Sequence, residues 1–220
     1  MKIDVMAPTR ISIPQTVAFV NKSEKSGATG VGIPDHLEFG RDGFIALALA
    51  SQNSSRVQLY PAVTNILTRH PFQLAVLARS MQELAPNRNK LVIGIGGTTA
   101  LHTGMGPATR EQIREVIPIL RKLLQGEAVT FGSSNAERIE DPDPRGPEIQ
   151  FAASGPKSIK LAAEIADGAL VFVGISDGIR NETVELIGQA FNNEKYVRGT
   201  IIDETIRNDN GNRAGYIVSV

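Results

Sequence analysis

An α/β fold with a parallel sheet is predicted by three features of the sequence. Short apolar runs rich in Val and Ile recur along the chain, longer segments with helical periodicity separate them, and the runs lie too far apart for hairpins. Parallel neighbours need a crossover connection, which is normally a helix. The alternation fits both a (β/α) barrel and an open doubly wound sheet, and both place function at the carboxyl ends of the strands.

Six strands are predicted, in the order KIDVMAP, GVGIPDH, VQLYPAVTN, KLVIGIGG, EIQFAASG and GALVFVG. Two intervening segments, FIALALASQNSS and FQLAVLARSMQEL, place apolar residues at helical spacing. A further helix is predicted for TREQIREVIPILRKLLQGE, in which Thr109 and Gln112 have the spacing of a capping box and Gly126 marks the end. Pro118 lies inside this segment, so the helix is either kinked or begins its regular part later.

Length and composition predict a single domain and exclude several classes of protein. The chain has 220 residues, of which 41% are hydrophobic, and this is enough for a sizeable core. Lys+Arg and Asp+Glu both number 23, so the charge favours a small-molecule partner over nucleic acid or a membrane. The absence of cysteine excludes disulfides, thiolate metal sites and a cysteine nucleophile. MKIDVMAPTR lacks the apolar run of a secretion signal, and we therefore expect a cytoplasmic protein.

Small or polar residues follow the predicted strands, which indicates a site at one rim of the sheet. The strand ends are PDH, TN, GGTT, ASGPK and VGIS. Glycine at such a position lets the backbone approach a ring or a phosphate, and Thr, Ser and Asn supply neutral hydrogen bonds. ASGPK has the chemistry of an anion site, because a helix that begins at Pro156 has free N–H groups and Lys157 adds charge. The same stretch is also typical of an ordinary strand-to-helix turn.

An aspartate and the histidines near this rim are candidate functional residues. Asp35 and His36 follow the second strand, where His36 could donate to a carbonyl or transfer a proton. His70 precedes a proline that begins a helix and is interpreted as structural, whereas Arg69 could reach the rim. The histidines lack the spacing of a helical zinc motif, so no metal site is predicted. GIGGTT lacks the third glycine of the dinucleotide fingerprint, and there is no GxSxG elbow or P-loop.

The motifs PDH, VTN with RHP, GIG, LLQGE, and GPK with ADG occur in this order between residue 1 and about residue 174. Together they resemble the luciferase-like monooxygenase superfamily, and within it the methylenetetrahydromethanopterin reductase type. The resemblance implies a TIM-like (β/α) barrel that binds F420 or FMN at its carboxyl rim, and an oxidoreductase that transfers a hydride between this cofactor and a small organic substrate. Two alternatives stay open, an FMN-dependent monooxygenase that uses molecular oxygen and a truncated flavin-binding paralogue without turnover.

The resemblance also implies roles for residues at the strand ends. Asp35 and His36 would be catalytic and would face the cofactor ring or the substrate. The implied cofactor-binding residues are Val63, Thr64, Asn65, Gly96, Gly97, Thr98, Ser154, Gly155, Pro156, Lys157 and Gly174. In F420-dependent members the strand that ends in VTN often has a bulge with a non-prolyl cis peptide bond. The GPK motif would receive the phosphate or ribityl arm of the cofactor.

The C-terminal part departs from the family pattern. A complete barrel typically has about 250 residues, and the likeness fades after Gly174. We therefore expect one domain over residues 1–220 whose part 175–220 is divergent or shortened, so that the barrel is abbreviated or incomplete there unless YVRGTIID and GYIVSV replace its last strands. Because an incomplete barrel leaves sheet edges that favour pairing with another chain, a homodimer is expected.

Overall fold

Strands and helices alternate along most of the chain in the computed structural model, which describes residues 2–173, 182, 185–190, 197–207 and 213–219. The strands are β1 (Lys2–Met6), β2 (Gly30–Ile33), β3 (Gln58–Pro61), β4 (Thr64–Asn65), β5 (Lys90–Gly94), β6 (Val129–Thr130), β7 (Ala136–Glu137), β8 (Glu148–Ala153), β9 (Gly168–Val173), β10 (Val197–Arg207) and β11 (Arg213–Ser219). The helices are α1 (Ile13–Lys25), α2 (Gly43–Gln52), α3 (Pro71–Leu84), α4 (Gly97–Thr103), α5 (Arg110–Leu124) and α6 (Pro156–Ile165). A short 3₁₀ turn, η1 (Leu37–Phe39), precedes α2.

The described strands form one main sheet, which closes into a barrel. Its order is β3-β2-β1-β11-β10-β9-β8-β5-β4, and β6 and β7 pair separately. The circle closes because β3 and β4 are two halves of one bent strand, of which β3 pairs with β2 and β4 pairs with β5. Leu59 of β3 also bridges to Asn89 beside β5, and its amide donates to the carbonyl of Arg88 at 2.7 Å. The predicted TIM-like barrel is confirmed.

The C-terminal strands β10 and β11 fill the gap between β9 and β1. β10 runs parallel to β9, and β11 runs antiparallel to both β10 and β1. Of the two predicted outcomes, replacement of the last strands by YVRGTIID and GYIVSV is therefore the one found. An antiparallel pair was not expected from the spacing of the strands. With these edges paired, the argument from open sheet edges to a homodimer loses its basis, and the homodimer itself stays a prediction.

Most of the hydrophobic core lies between the barrel and the helices. On β8, Ile149 and Phe151 face outward into this layer, where they join residues of α5 such as Ile113 and Leu120. A smaller cluster faces inward and contains Tyr60, Ala62, Val92 and Leu170. Successive side chains of a strand point to opposite faces, so the near-continuous apolar runs of the parallel strands fill both layers. This packing leaves the carboxyl rim as the place for a ligand.

Helix α5 begins at the predicted capping box. The amide of Gln112 donates to Oγ1 of Thr109 at 3.2 Å, and the amide of Thr109 donates to Oε1 of Gln112 at 2.8 Å. The helix continues through Pro118 to Leu124, so a helix confined to its second half is not what forms. A second capping box, at Ser12, begins α1. Among the helices that the structure describes, none has the length and apolar character needed to cross a membrane.

Candidate active site at the carboxyl rim

A cleft of about 430 Å³ opens at the carboxyl ends of β2, β4, β5 and β8, which is the size of a small-molecule site. Its lining contains the predicted residues Asp35, His36, Val63, Thr64, Asn65, Gly96, Gly97, Thr98, Ser154 and Gly155, and also Gly94, Ile95, Thr99, Ala152 and Ser158. Pro156 and Lys157 do not line it, because they begin α6 beyond the strand end. Gly174 lies outside the described residues. Most of the predicted residues therefore line one cleft, and their roles there stay predictions.

Asp35 is a buried carboxylate whose oxygens are held by the protein. Nε and Nη2 of Arg69 donate to its two oxygens at 3.1 and 3.0 Å. Oγ1 of Thr64 donates at 2.8 Å and the amide of Gly43 at 3.2 Å. A bidentate, charge-assisted pair of this kind is strong and directional. Asp35 therefore fastens the end of β2 to β4 and to the start of α2, and its acceptor positions are already occupied.

Arg69 extends this ion pair to a second carboxylate. Its Nη2 lies 2.8 Å from Oδ2 of Asp42, its side chain is 12% exposed, and its guanidinium stacks 4.9 Å from the centre of the Phe44 ring. Burial opposes the charge of Arg69, but hydrogen bonds and charges from both aspartates outweigh it and raise the pKa of Arg69. For Asp42, burial is likewise outweighed by Arg69 and by the amides of α2, so the pKa of Asp42 is lowered. Arg69 and Asp42 are thus held in their charged forms.

Asn65 uses its side chain to shape the loop after β4. Its Oδ1 accepts from the amides of Leu67 and Thr68 at 3.0 and 3.1 Å, in the manner of an Asx turn. Its Nδ2 donates to Oγ1 of Thr99 in α4 at 3.2 Å. The side chain of Thr64 is hydrogen-bonded to Asp35, and that of Asn65 is used within the protein. The part of β4 that is available to a ligand is therefore mainly its backbone.

The bend between β3 and β4 lies on the floor of the cleft. The Ala62–Val63 peptide bond is cis, which is the feature that the resemblance implies here. A Cβ on Gly94 would come within 2.6 Å of Cγ2 of Val63, so a larger residue does not fit at this position of β5. Gly96 has φ of 71°, and a Cβ there would lie 2.9 Å from Leu67. Packing and backbone geometry therefore account for these two glycines without a ligand.

Two other glycines, Gly97 after β5 and Gly155 after β8, face open space. A Cβ built on either of them would have no atom within 4 Å. In the part of the chain that the structure describes, the neighbouring hydroxyls of Thr98 and Ser154 make no hydrogen bond. This side of the cleft consequently presents bare backbone and neutral donors, and neither glycine is required by the surrounding protein.

His36 lines the cleft and contacts Glu38, a residue that the sequence did not indicate. Nδ1 of His36 lies 3.0 Å from Oε1 of Glu38, and Nε2 of His102 lies 3.7 Å from Oε2. Burial opposes ionisation of Glu38, but its own amide and the two histidines outweigh burial and lower its pKa. Among the described residues, no group of histidine and carboxylate side chains is arranged to hold a metal ion.

A comparison with models of protein families finds a match over most of the chain. Residues 1–195 match the family model described as luciferase-like monooxygenase. The chain belongs to the luciferase-like monooxygenase family. The match covers every strand from β1 to β9, and with them the whole lining of the cleft. The family predicted from the separated motifs is confirmed.

A protein named 5,10-methylenetetrahydromethanopterin reductase, from Methanolobus tindarius, is similar to this chain. It is 29% identical to this luciferase-like chain over 165 residues, which are 70% of this chain and 48% of that protein. A second protein of the same name, from Archaeoglobus fulgidus, is 29% identical over 161 residues, 70% of this chain and 47% of its own length. The chain therefore spans about half the length of the curated relatives it matches.

Solved structures show the same architecture. The coenzyme F420 dependent tetrahydromethanopterin reductase from Methanopyrus kandleri superposes with a TM-score of 0.76 at 21% identity, over 88% of this chain and 62% of that one. At this level of identity the likeness shows the fold alone, and it agrees with the barrel described above.

Proposed function

We propose that this chain binds a flavin-type cofactor, F420 or FMN, in the rim cleft and transfers a hydride between the cofactor and a small organic substrate. The observation that carries the proposal is the open backbone at Gly97 and Gly155, beside the hydroxyls of Thr98 and Ser154. A planar ring or a phosphate arm can approach such backbone without a Cβ in the way. The two curated relatives are named as reductases and the Methanopyrus kandleri structure as coenzyme F420 dependent, which supports an F420-dependent reductase.

The residues of the cleft fit such a cofactor in two parts. The ring would lie against Val63 and the backbone of β4, which the Asp35–Arg69 pair holds in place. The anionic arm would lie at Ser154 and Gly155, because α6 has no side-chain cap there. In its first turn Pro156 has no N–H and the amides of Ser158 and Ile159 donate to the Gly155 carbonyl, so the amide of Lys157 is the one left for an anion. The bound cofactor supplies the hydride chemistry.

Titration of the purified protein with F420 and, separately, with FMN tests this proposal. We expect a change in cofactor absorbance or fluorescence that saturates with a Kd of about 1 µM or tighter, corresponding to roughly −8 kcal/mol. Binding of FMN with substrate-dependent oxygen consumption would identify the monooxygenase alternative. If neither cofactor binds at micromolar concentration, the proposal is wrong and a barrel without cofactor-dependent turnover remains.

His36 is proposed to act on the substrate, as a proton donor or acceptor. We expect His36→Ala to slow reduction of the bound cofactor by a panel of small alcohols by about 100-fold or more, since a positioned acid or base typically contributes that much. Cofactor affinity should stay within about twofold. The control is His70→Ala, because His70 accepts from the amide of Phe72 and does not line the cleft. Loss of a stoichiometric metal ion from His36→Ala would contradict the assignment.

A homodimer is proposed on a basis other than strand edges. Helix α2 is apolar on all its faces, and Ile45 and Leu49, one turn apart, are 55% and 47% exposed. Val76 of the neighbouring α3 is 42% exposed. A helix that is hydrophobic all round is normally buried, so a second copy of this chain is the partner proposed for this surface.

Light scattering on a sizing column should give twice the chain mass for the unmodified protein. The double variant Ile45→Lys/Leu49→Lys should elute as a monomer, because two desolvated charges would face the partner. Leu101→Lys is the matched control, since Leu101 is 83% exposed but lies on α4. A monomer at micromolar concentration for the unmodified protein would contradict the homodimer.

A further inference from the structure

Glu38 holds one nitrogen of His36 and leaves the other for the cleft. Nδ1 of His36 lies 3.0 Å from Oε1 of Glu38, with side-chain exposures of 30% and 22%. The ring of Phe39 packs 5.8 Å from the imidazole at a tilt of 41°. Because His36 lines the cleft while its Nδ1 is occupied, Nε2 is the nitrogen that remains for a ligand.

The chemistry of the two groups decides where the imidazole proton lies. An ionised carboxylate has only acceptor oxygens, so the hydrogen bond must be donated by an N–H. Neutral histidine has one N–H, and if Nδ1 carries it, Nε2 has a lone pair. The lowered pKa of Glu38, in which the histidines and its own amide outweigh burial, keeps this carboxylate ionised.

We propose that Glu38 is a positioning residue that fixes neutral His36 with its proton on Nδ1 and the lone pair of Nε2 available to the substrate. In the oxidation of an alcohol, Nε2 would take the hydroxyl proton of the substrate, and a bound cofactor in its oxidised form would accept the hydride from the carbinol carbon as the carbonyl forms. In the reverse direction the doubly protonated ring returns that proton to the carbonyl oxygen. Glu38 keeps no proton in either direction. The role in turnover rests on the proposed function, whereas the tautomer does not.

The other charged groups nearby do not compete for Nδ1. Arg10 lies 5.5 Å from the centre of the Phe39 ring, and Nη1 of Arg41 donates to the carbonyl of Phe39 at 3.1 Å. Nε2 of His102 is 3.7 Å from Oε2 of Glu38, which is the oxygen that does not bond His36. The two histidines therefore use different oxygens of one carboxylate, and loss of His102 should leave the His36 tautomer unchanged.

His70 provides an internal reference with the opposite tautomer. Its Nδ1 accepts from the amide of Phe72 at 3.2 Å, so neutral His70 must carry its proton on Nε2. The chain has 3 histidines, His36, His70 and His102, so their ring signals can be assigned by single substitutions.

Long-range ¹H–¹⁵N correlation spectra of the full chain with ¹⁵N-labelled histidine, recorded above the pH of ring titration, test the proposal without cofactor or substrate. We expect His36 with protonated Nδ1 and His70 with protonated Nε2. In Glu38→Ala and in Glu38→Gln, which keeps the size of the side chain, His36 should lose its single tautomer and populate both. His102→Ala should keep the pattern of the unmodified protein, and circular dichroism verifies the fold of each variant.

Two results would overturn the proposal. A neutral His36 with its proton on Nε2 in the unmodified protein would show that Glu38 does not fix the tautomer. Retention of the Nδ1–H form in both Glu38 variants would show that another group fixes it. None of these spectra requires a cofactor. Failure of the tautomer proposal is therefore distinct from failure of the cofactor titration, and either result can stand without the other.

Discussion

Arg69→Met is expected to lower the free energy of unfolding by about 3–5 kcal/mol, because removal of one partner from a buried ion pair leaves an uncompensated charge. The charge left behind is that of Asp35, which is 7% exposed and would keep only Thr64 and the amide of Gly43 as donors. Methionine retains much of the volume of the arginine stem, so packing against Phe44 is partly preserved. The measurement is the urea midpoint and slope of the unfolding transition.

Arg114→Met is the matched control for this change. Arg114 also pairs with a carboxylate, Glu164, but the two side chains are 53% and 51% exposed. A surface pair of this kind contributes about 0–1 kcal/mol. In the double variant Arg69→Met/Asp35→Leu we expect part of the loss to be recovered, since no unpaired charge is then buried at Asp35. Equal losses for Arg69→Met and Arg114→Met would show that burial of the Asp35–Arg69 pair has no energetic consequence.

The Asp35–Arg69 pair is a contact that the sequence alone could not predict. The order of strands and helices follows from apolar periodicity, and the rim follows from the parallel direction of the strands. The ion-pair partner of Asp35 does not follow from such patterns. Arg69 is 34 positions away along the chain, and local patterns contain no information on pairs that far apart. The family resemblance implied a catalytic role for Asp35, which stays a prediction; the structure shows that its oxygens accept from Arg69, Thr64 and the amide of Gly43 in the wall of the cleft.

Helix α4 and the direction of β11 were missed for different physical reasons. Helix α4 lies between Gly96 and Gly104, both with positive φ, and buries only Thr99 and Ala100, so its sequence lacks an amphipathic period. The direction of β11 was missed because an apolar run indicates a strand but not its orientation. Its antiparallel pairing with β1 and β10 depends on contacts with distant parts of the chain.

The glycines of the GIGGTT stretch have two different roles: some are required by the packing of the fold, and one leaves space for a ligand. Sequence alone could indicate only that small residues cluster at the rim. A Cβ on Gly94 would collide with Val63 and one on Gly96 with Leu67, whereas a Cβ on Gly97 would have no atom within 4 Å. Gly155 resembles Gly97 in this respect. Substitution of Gly97 or Gly155 is therefore expected to change ligand binding more than stability.

Gly155→Phe is expected to weaken binding of F420 or FMN at least tenfold, which is about 1.4 kcal/mol. A phenyl ring at this position would extend into the open space in front of Gly155 and occupy part of the cleft of about 430 Å³. Gly155 has φ of −150°, which is extended backbone that any residue adopts, so the thermal midpoint should change little. The affinity is measured by fluorescence titration, as for the unmodified protein.

Two further variants separate obstruction of the cleft from loss of glycine as such. Gly106→Phe adds the same ring at another position where a Cβ meets nothing, outside the lining of the cleft, and should bind the cofactor with unchanged affinity. Gly155→Ala adds a single methyl group and should weaken binding by less than Gly155→Phe, because the obstruction scales with the size of the side chain. Affinity of Gly155→Phe within twofold of the unmodified protein would mean that the cofactor does not use this side of the cleft, and the placement of its anionic arm at Ser154 and Gly155 would then be wrong.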